Sequence, residues 1–141
     1  MERFIGTKII FAKKMSADEA IGFGYKVNGA LAAAQGYEVE YGDKYRSWSP
    51  KTAFENAYRK TDGMPFGLAI EALKKGHKVA RSGWNGKDMW IILIQAGNAM
   101  FKGLDMQDCI GMKTASPRGE IQPGWLASQA DMLSDDWMIV K

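Results

Sequence analysis

The chain has 141 residues, of which 46% are hydrophobic and 25% charged, enough to bury one core or two small ones. The single cysteine, Cys109, excludes an internal disulfide, and no leader or membrane span is evident, so we expect a protein of the reducing cytoplasm. Its net charge of +3 is too small for binding polymeric nucleic acid by electrostatic attraction alone. A small anion is still compatible with this charge as a ligand.

The first elements in chain order are a strand and a short helix. Phe4–Phe11 is rich in β-branched and aromatic residues, which predicts a strand. Ser16 and Glu19 form a capping-box pattern that predicts a helix start. The segment from Gly22 to Gly36 fits either a helix after a loop or an irregular chain.

A hairpin and a second helix follow. Tyr37–Tyr41 and Lys44–Trp48 alternate around the turn residues Gly42 and Asp43, which predicts a β-hairpin. Ser49–Pro50 predicts an N-cap with proline at the first helical position, ahead of an apolar stripe: Ala53, Phe54, Ala57 and Tyr58. Thr61–Gly63 ends this pattern, so we predict one module at residues 1–62 and another at 63–141.

The second module mixes short helices and strands. Phe66, Ala69, Ile70 and Leu73 predict a helix that ends at Gly76. The strands are predicted at Lys78–Arg81, Met89–Ile94 and Trp137–Val140, a helix start at Ser128, and an irregular span around Asp105, Cys109 and Met112. The fold class is therefore predicted to be α+β, with a small mixed or antiparallel sheet and short helices.

Catalytic and metal-binding patterns are missing from the sequence. His77 suits a helix end, Cys109 reads as a small buried residue, and Asp135–Asp136 reads as a solvated turn. No zinc-ligand spacing and no phosphate-binding glycine loop is present. We therefore predict a protein that is not an enzyme, with no catalytic residues, metal or cofactor.

Two segments concentrate groups that recognise ligands. The first segment is Lys78–Lys87, in which Trp84 can stack on a base and Asn85 can both donate and accept a hydrogen bond. Arg81 can bind a phosphate through two hydrogen bonds. Trp84 fits equally well as a residue that anchors the core. In Pro123–Leu133, a helix start with Ser128 and Gln129 could present free backbone amides to an anion. The alternative, which the composition favours, is self-capping by Ser128 and Asp131.

Residues 64–141 resemble the second type of Thoeris anti-defence protein, a phage family. The matching stretches are Met64–Gly76, Val79–Gly86, Trp125–Leu133 and Asp136–Trp137. Residues 3–62 resemble a segment often fused ahead of that domain in phage proteins.

The resemblance implies a sponge in the cytoplasm of an infected bacterium. Such a protein is a homo-oligomer, typically a tetramer, that captures the cyclic ADP-ribose isomer made by Thoeris TIR enzymes and leaves it intact, and some relatives are thought to hold cyclic dinucleotides too. Carried over by position, the ligand-binding residues lie in or near pockets between subunits: Phe66, Arg81, Trp84, Asn85, Trp125, Ser128, Gln129, Asp131 and Trp137.

Two other functions stay open at this point. One is a small nucleotide-cleaving enzyme, and the other is a phage structural or host-protein-binding module. For residues 1–62 the hypothesis is weaker: Tyr37, Tyr41, Tyr45 and Trp48 extend an oligomer surface or line a second nucleotide site.

Overall fold

The computed structural model describes residues 1–3, 5–29, 33–84, 88–97, 103 and 105–141. The chain forms two compact units, Met1–Arg59 and Lys60–Lys141, each built on an antiparallel sheet with short helices. The α+β class is confirmed. No helix in the described ranges is long and apolar enough to cross a membrane.

The first unit is a three-stranded sheet with two helices. Its elements are β1 (Phe11–Ser16), α1 (Ala17–Gly22), β2 (Gln35–Glu40), β3 (Arg46–Pro50) and α2 (Lys51–Ala57), with strand order β1-β2-β3. The predicted hairpin is confirmed as β2 and β3. The Tyr41 amide donates to the Tyr45 carbonyl at 2.9 Å to close the turn.

The predicted strand at Phe4–Phe11 is wrong in its position. Only Phe11 belongs to β1, which continues to Ser16, and Phe4 lies outside the described residues. Phe11 pairs with Glu40, the last residue of β2, so the preceding residues have no strand to pair with. Apolar composition favoured a strand, but the length of its partner decided where the strand begins.

The core of the first unit lies under α1. Met15, Ala17, Ala20 and Trp48 are buried there, and Gly36 lies beneath the Trp48 ring, where a Cβ would be 2.5 Å from ring atoms. The Ser16 capping box is confirmed, since Ser16 and Glu19 each cap the other. Between α1 and β2, the described residues contain no further helix.

The helix predicted after Ser49–Pro50 is present but capped differently. Pro50 occupies the N-cap position of α2 without a side-chain cap, and the helix ends at Ala57, before the predicted stop. None of its residues is buried. Phe54 of the predicted stripe instead stacks on Tyr37, with ring centroids 4.1 Å apart.

In its described residues the second unit is a five-stranded antiparallel sheet with two helices. Its elements are α3 (Phe66–Lys74), β4 (Val79–Arg81), β5 (Trp90–Ile94), β6 (Cys109–Lys113), β7 (Ile121–Pro123), α4 (Gln129–Met132) and β8 (Trp137–Ile139). The strand order is β7-β6-β5-β4-β8. The irregular span predicted around Asp105, Cys109 and Met112 is wrong from Cys109 onward, where β6 begins, whereas residues 105–108 lie outside any strand or helix. Cys109 is half-buried rather than buried.

The core of this unit lies between α3 and one face of the sheet. Ala69, Ala72 and Leu73 of α3 are buried with Val79 and Ile91, which pair directly across β4 and β5. Residues at alternate strand positions share a face, so this register fixes which side chains reach the helix. Trp137 completes the core and is fully buried.

Candidate functional site

Three indole rings of the second unit pack against one another. Trp84 follows β4, Trp125 follows β7, and Trp137 opens β8. Their ring centroids lie 5.4 to 6.1 Å apart, and each pair of planes meets at 66° to 80°. Edge-to-face contacts of this kind stabilise aromatic pairs beyond their burial. We call these three residues the tryptophan cluster.

The three rings differ in what remains accessible. Trp137 is buried and also contacts Phe66 of α3, with centroids 5.4 Å apart, so it belongs to the core. Trp84 and Trp125 are half-buried and pack against the core cluster of the unit. Trp84 therefore contributes to the core, and the stacking face expected of it stays a prediction.

Ion pairs between Arg81, Asp131 and Asp136 lie beside the tryptophan cluster and contact it through Asp131. The Arg81 guanidinium donates through Nε to Asp136 Oδ1 at 2.8 Å and through Nη1 to Asp131 Oδ1 at 2.9 Å. The Arg81 and Asp131 side chains are only 18% and 13% exposed, so solvent screens this pair weakly. We call Arg81, Asp131 and Asp136 the Arg81 cluster.

Asp131 is the centre of this arrangement. Its Oδ1 accepts from Arg81 and from the Trp84 indole nitrogen at 3.3 Å, and its Oδ2 accepts from the Ser128 amide and hydroxyl. Its backbone carbonyl accepts from the Trp137 indole at 2.9 Å. One residue thus ties α4 to β4 and to two of the three indoles.

The electrostatics favour the charged form of each partner. Burial alone raises the pKa of Asp131, but hydrogen bonds from Ser128, Arg81 and Trp84 outweigh it and bring the pKa down to about 2. The Arg81 guanidinium lowers the pKa of Asp136, and the carboxylates of Asp136 and Asp131 raise the pKa of Arg81.

Asp136 organises the loop that carries Trp84. Its Oδ2 accepts from the Gly83 amide at 2.9 Å and from the Ser82 hydroxyl at 3.2 Å, while its carbonyl accepts from the Ser82 amide at 3.1 Å. The prediction that Asp135–Asp136 forms a solvated turn is therefore wrong for Asp136. The missing signal was the pairing of Arg81 with Trp137, which brings Asp136 beside the loop and cannot be read from spacing.

The start of α4 is self-capped. Ser128 Oγ accepts from the Asp131 amide at 3.1 Å, and Asp131 Oδ2 accepts from the Ser128 amide at 3.0 Å. These are donors that an anion would otherwise use, so the alternative of self-capping is confirmed. Ser128, the N-cap of α4, and Gln129, its first residue, are both exposed.

The structure sorts the predicted site residues into two groups. Arg81, Asp131 and Trp137 form the scaffold, and Asp136, absent from the prediction, joins them. Residues with accessible surface are Phe66, Trp84, Trp125, Ser128 and Gln129. Asn85 lies outside the described residues. Within the described ranges, no group of three acidic, histidine or cysteine side chains could hold a metal ion.

Comparison with known proteins identifies the second unit. The profile of the Thoeris anti-defense 2-like domain matches residues 64–140, more than half of the chain. Thoeris anti-defense 2 from Bacillus phage SP01 is 36% identical over 88 residues, which cover 55% of this chain and 94% of that protein. The family match and this relative thus define a phage anti-defence protein. The chain belongs to the Thoeris anti-defense 2-like family.

Proposed function

We propose that this protein is a sponge that sequesters cyclic nucleotide immune signals without cleaving them. Its principal ligand is the cyclic ADP-ribose isomer made by TIR enzymes, and cyclic dinucleotides are a second class. The protein acts as a homo-oligomer, a tetramer, in the cytoplasm of the infected bacterium. Family membership carries the proposal, and the paired, half-buried indole rings of Trp84 and Trp125 support it.

The tryptophan cluster suits a flat base. Trp84 and Trp125 are half-buried and meet at 66°, so a base that stacks on one ring meets the edge of the other. Stacking of a base on an aromatic side chain contributes about 1–3 kcal/mol. Because Trp137 and the Arg81 cluster hold these rings in place, little ordering is required when the ligand binds.

Arg81 has a different role from the predicted phosphate grip. Two carboxylates already engage its guanidinium, and the Arg81 cluster carries a net charge of −1. A pyrophosphate that used the remaining guanidinium donors would lie beside two carboxylates, which is unfavourable. We therefore assign positioning to Arg81, Asp131 and Trp137, and ligand contact to Phe66, Trp84, Trp125, Ser128 and Gln129, with Asn85 retained from the motif.

The affinity required of a sponge favours an oligomer. Sequestration at low signal concentration needs nanomolar binding, about 12 kcal/mol. Two stacking contacts contribute at most about 6 kcal/mol of this. A second subunit that closes over the ligand adds polar partners and excludes water, which strengthens each hydrogen bond.

Exposed apolar side chains around α4 support such self-association. Leu126 and Leu133 are 88% and 82% exposed, and Met132 is also exposed. These residues flank the helix that carries Ser128 and Gln129. Large exposed apolar side chains are typical of surfaces that another protein covers.

A retention experiment tests the proposal. The purified protein is incubated with the cyclic ADP-ribose isomer, freed of unbound ligand and heat-denatured, and the released compound is identified by mass-resolved chromatography. Intact ligand supports sequestration. A cleaved product would make the protein an enzyme. If neither this isomer nor cyclic dinucleotides are retained, the proposal fails, and a co-purifying host protein would then favour a protein-binding module.

A matched pair of variants assigns the retained ligand to the tryptophan cluster. Trp84→Ala removes one stacking face and is expected to weaken binding about 5- to 100-fold. Cys109→Ala, in the half-buried strand β6, should bind as the parent does. Circular dichroism first verifies that both variants are folded, and calorimetry then measures the affinity of each for the ligand. Equal affinity for Trp84→Ala would leave Trp84 as a core residue only.

A further inference from the structure

We infer that the β2–β3 hairpin of the first unit carries a second site, separate from the tryptophan cluster, that binds an unpaired base joined to a phosphate. Tyr41 and Tyr45 form its stacking platform, with their rings 5.9 Å apart and within 26° of parallel. Lys8 and Lys44 supply its positive charge. The family profile matches residues 64–140 and so assigns nothing to this hairpin.

Most of the other aromatic side chains described in the first unit have a role in packing its fold. Trp48 is buried, and its indole nitrogen donates to the Met15 carbonyl at 3.0 Å. Tyr37 stacks on Phe54 and donates its hydroxyl to Glu55 Oε1 at 2.9 Å, which holds α2 against the sheet. These residues are needed for packing, so they drop out of the earlier nucleotide hypothesis.

Folding does not account for the ring of Tyr45. The bonds that close the turn do not use the Tyr45 side chain: the Tyr41 amide donates to the Tyr45 carbonyl, and the Tyr45 amide donates to Asp43 Oδ1 at 3.1 Å. Any side chain at position 45 would allow both bonds. The Tyr45 side chain is nevertheless a large aromatic ring, 63% exposed, stacked on Tyr41. Its exposed surface is available to a second flat molecule.

Positive charge lies beside this platform. The Lys8 ammonium is 5.5 Å from the centroid of the Tyr41 ring. Lys44 is exposed at the turn and immediately precedes Tyr45. Glu40 is paired with Arg46, whereas Asp43 accepts from the Tyr45 amide and keeps its charge. Three cations, Lys8, Lys44 and Arg46, thus stand against two carboxylates, which leaves a net charge of +1 around the platform.

This combination selects one ligand chemistry. An aromatic face stacks on any base, and an adjacent ammonium attracts the phosphate attached to it. A neutral sugar would not use the lysines, and an inorganic anion would not use the rings. One stacked base with one exposed phosphate contact corresponds to a dissociation constant of about 1 mM, a range in which nuclear magnetic resonance is the suitable method.

A titration with three related probes tests the site. AMP carries base and phosphate, adenosine lacks the phosphate, and ribose 5-phosphate lacks the base. In amide spectra of the full chain, AMP is expected to shift Tyr41, Lys44 and Tyr45 most strongly. Absence of such shifts up to about 10 mM AMP would overturn the inference. Because each amide is observed separately, this result is independent of binding at the tryptophan cluster.

Variants separate stacking from charge. Tyr45→Ala should weaken AMP binding about 5- to 100-fold, whereas Phe23→Ala, at another exposed aromatic residue (71%), should leave it unchanged. Lys44→Asn removes the charge at a position with φ of 64°, a conformation that asparagine tolerates. It should weaken AMP but not adenosine. Unchanged AMP binding in Tyr45→Ala would also overturn the inference.

The same titration identifies the source of the base. A ten-residue oligothymidylate is compared with thymidine monophosphate at the same sites. Tighter binding of the oligomer indicates a single-stranded nucleic acid, and equal binding per nucleotide indicates a free nucleotide. Either result at Tyr45 supports the shared chemistry. Binding of the oligomer that persists in Tyr45→Ala contradicts it.

Discussion

Replacing Asp131 with asparagine should destabilise the second unit in a manner that depends on pH. Asparagine keeps the shape of the side chain but loses its charge, and its amide nitrogen cannot accept from Ser128 or Arg81. The pKa of Asp131 falls from 3.8 to about 2, nearly two units at about 1.4 kcal/mol each. The variant should therefore lose about 2 kcal/mol of unfolding free energy at neutral pH.

The direction of the pH effect follows from this depressed pKa. The carboxylate contributes its full stability above pH 3.8, the unfolded value, and loses it as the pH falls towards 2. The difference between Asp131→Asn and the parent should thus shrink between about pH 4 and pH 2. Because both proteins carry the same other carboxylates, taking the difference isolates Asp131.

Urea unfolding followed by tryptophan emission measures this difference. Four of the five tryptophans belong to the second unit, so the signal reports mainly on that unit. Asp135→Asn, four residues away and exposed, is the matched control and should change stability by less than about 0.5 kcal/mol. Equal stability of Asp131→Asn and parent at pH 7, or a loss independent of pH, would refute the role assigned to the ion cluster.

Three further results are expected. Asp136→Asn weakens the acceptor of the Gly83 amide, so hydrogen exchange at Gly83 should accelerate; unchanged exchange contradicts the loop-holding role. Gly36→Ala puts a Cβ 2.5 Å from atoms of β3 and should cost about 1–3 kcal/mol in urea unfolding, whereas Gly22→Ala meets nothing within 4 Å and serves as control. If α4 lies in a subunit interface, Leu133→Lys should yield smaller species than the parent in sedimentation analysis, and Leu133→Met should not.

Local patterns predicted much of the fold. Both capping boxes involve residues three positions apart, and their mutual hydrogen bonds form as the pattern indicates. The β2–β3 hairpin and the helix ending before Gly76, whose φ is +85°, likewise depend on neighbouring residues. Where a feature depends on residues close in sequence, composition and spacing were sufficient.

Errors arose where distant segments decide the outcome. The first strand starts at Phe11 because β2 ends at its partner Glu40. Strand β6 has Gly111 at its centre, a weak strand former, where a Cβ would lie 2.5 Å from Ile94 Cδ1. The role of Asp136 depends on the pairing of β4 with β8. None of these partners is indicated by residue spacing.

The many partners of Asp131 have a consequence for how this domain can diversify. Its side-chain oxygens accept from Ser128 at the start of α4, from Arg81 and from Trp84, so a substitution of Asp131 removes an acceptor from all three at once. Changes there must arise in combination to be tolerated. Exposed positions such as Gln129 are not subject to this constraint on substitution. Substitutions that change ligand preference among relatives should therefore accumulate at the exposed positions of the site, while Asp131 and its hydrogen-bond partners stay constant.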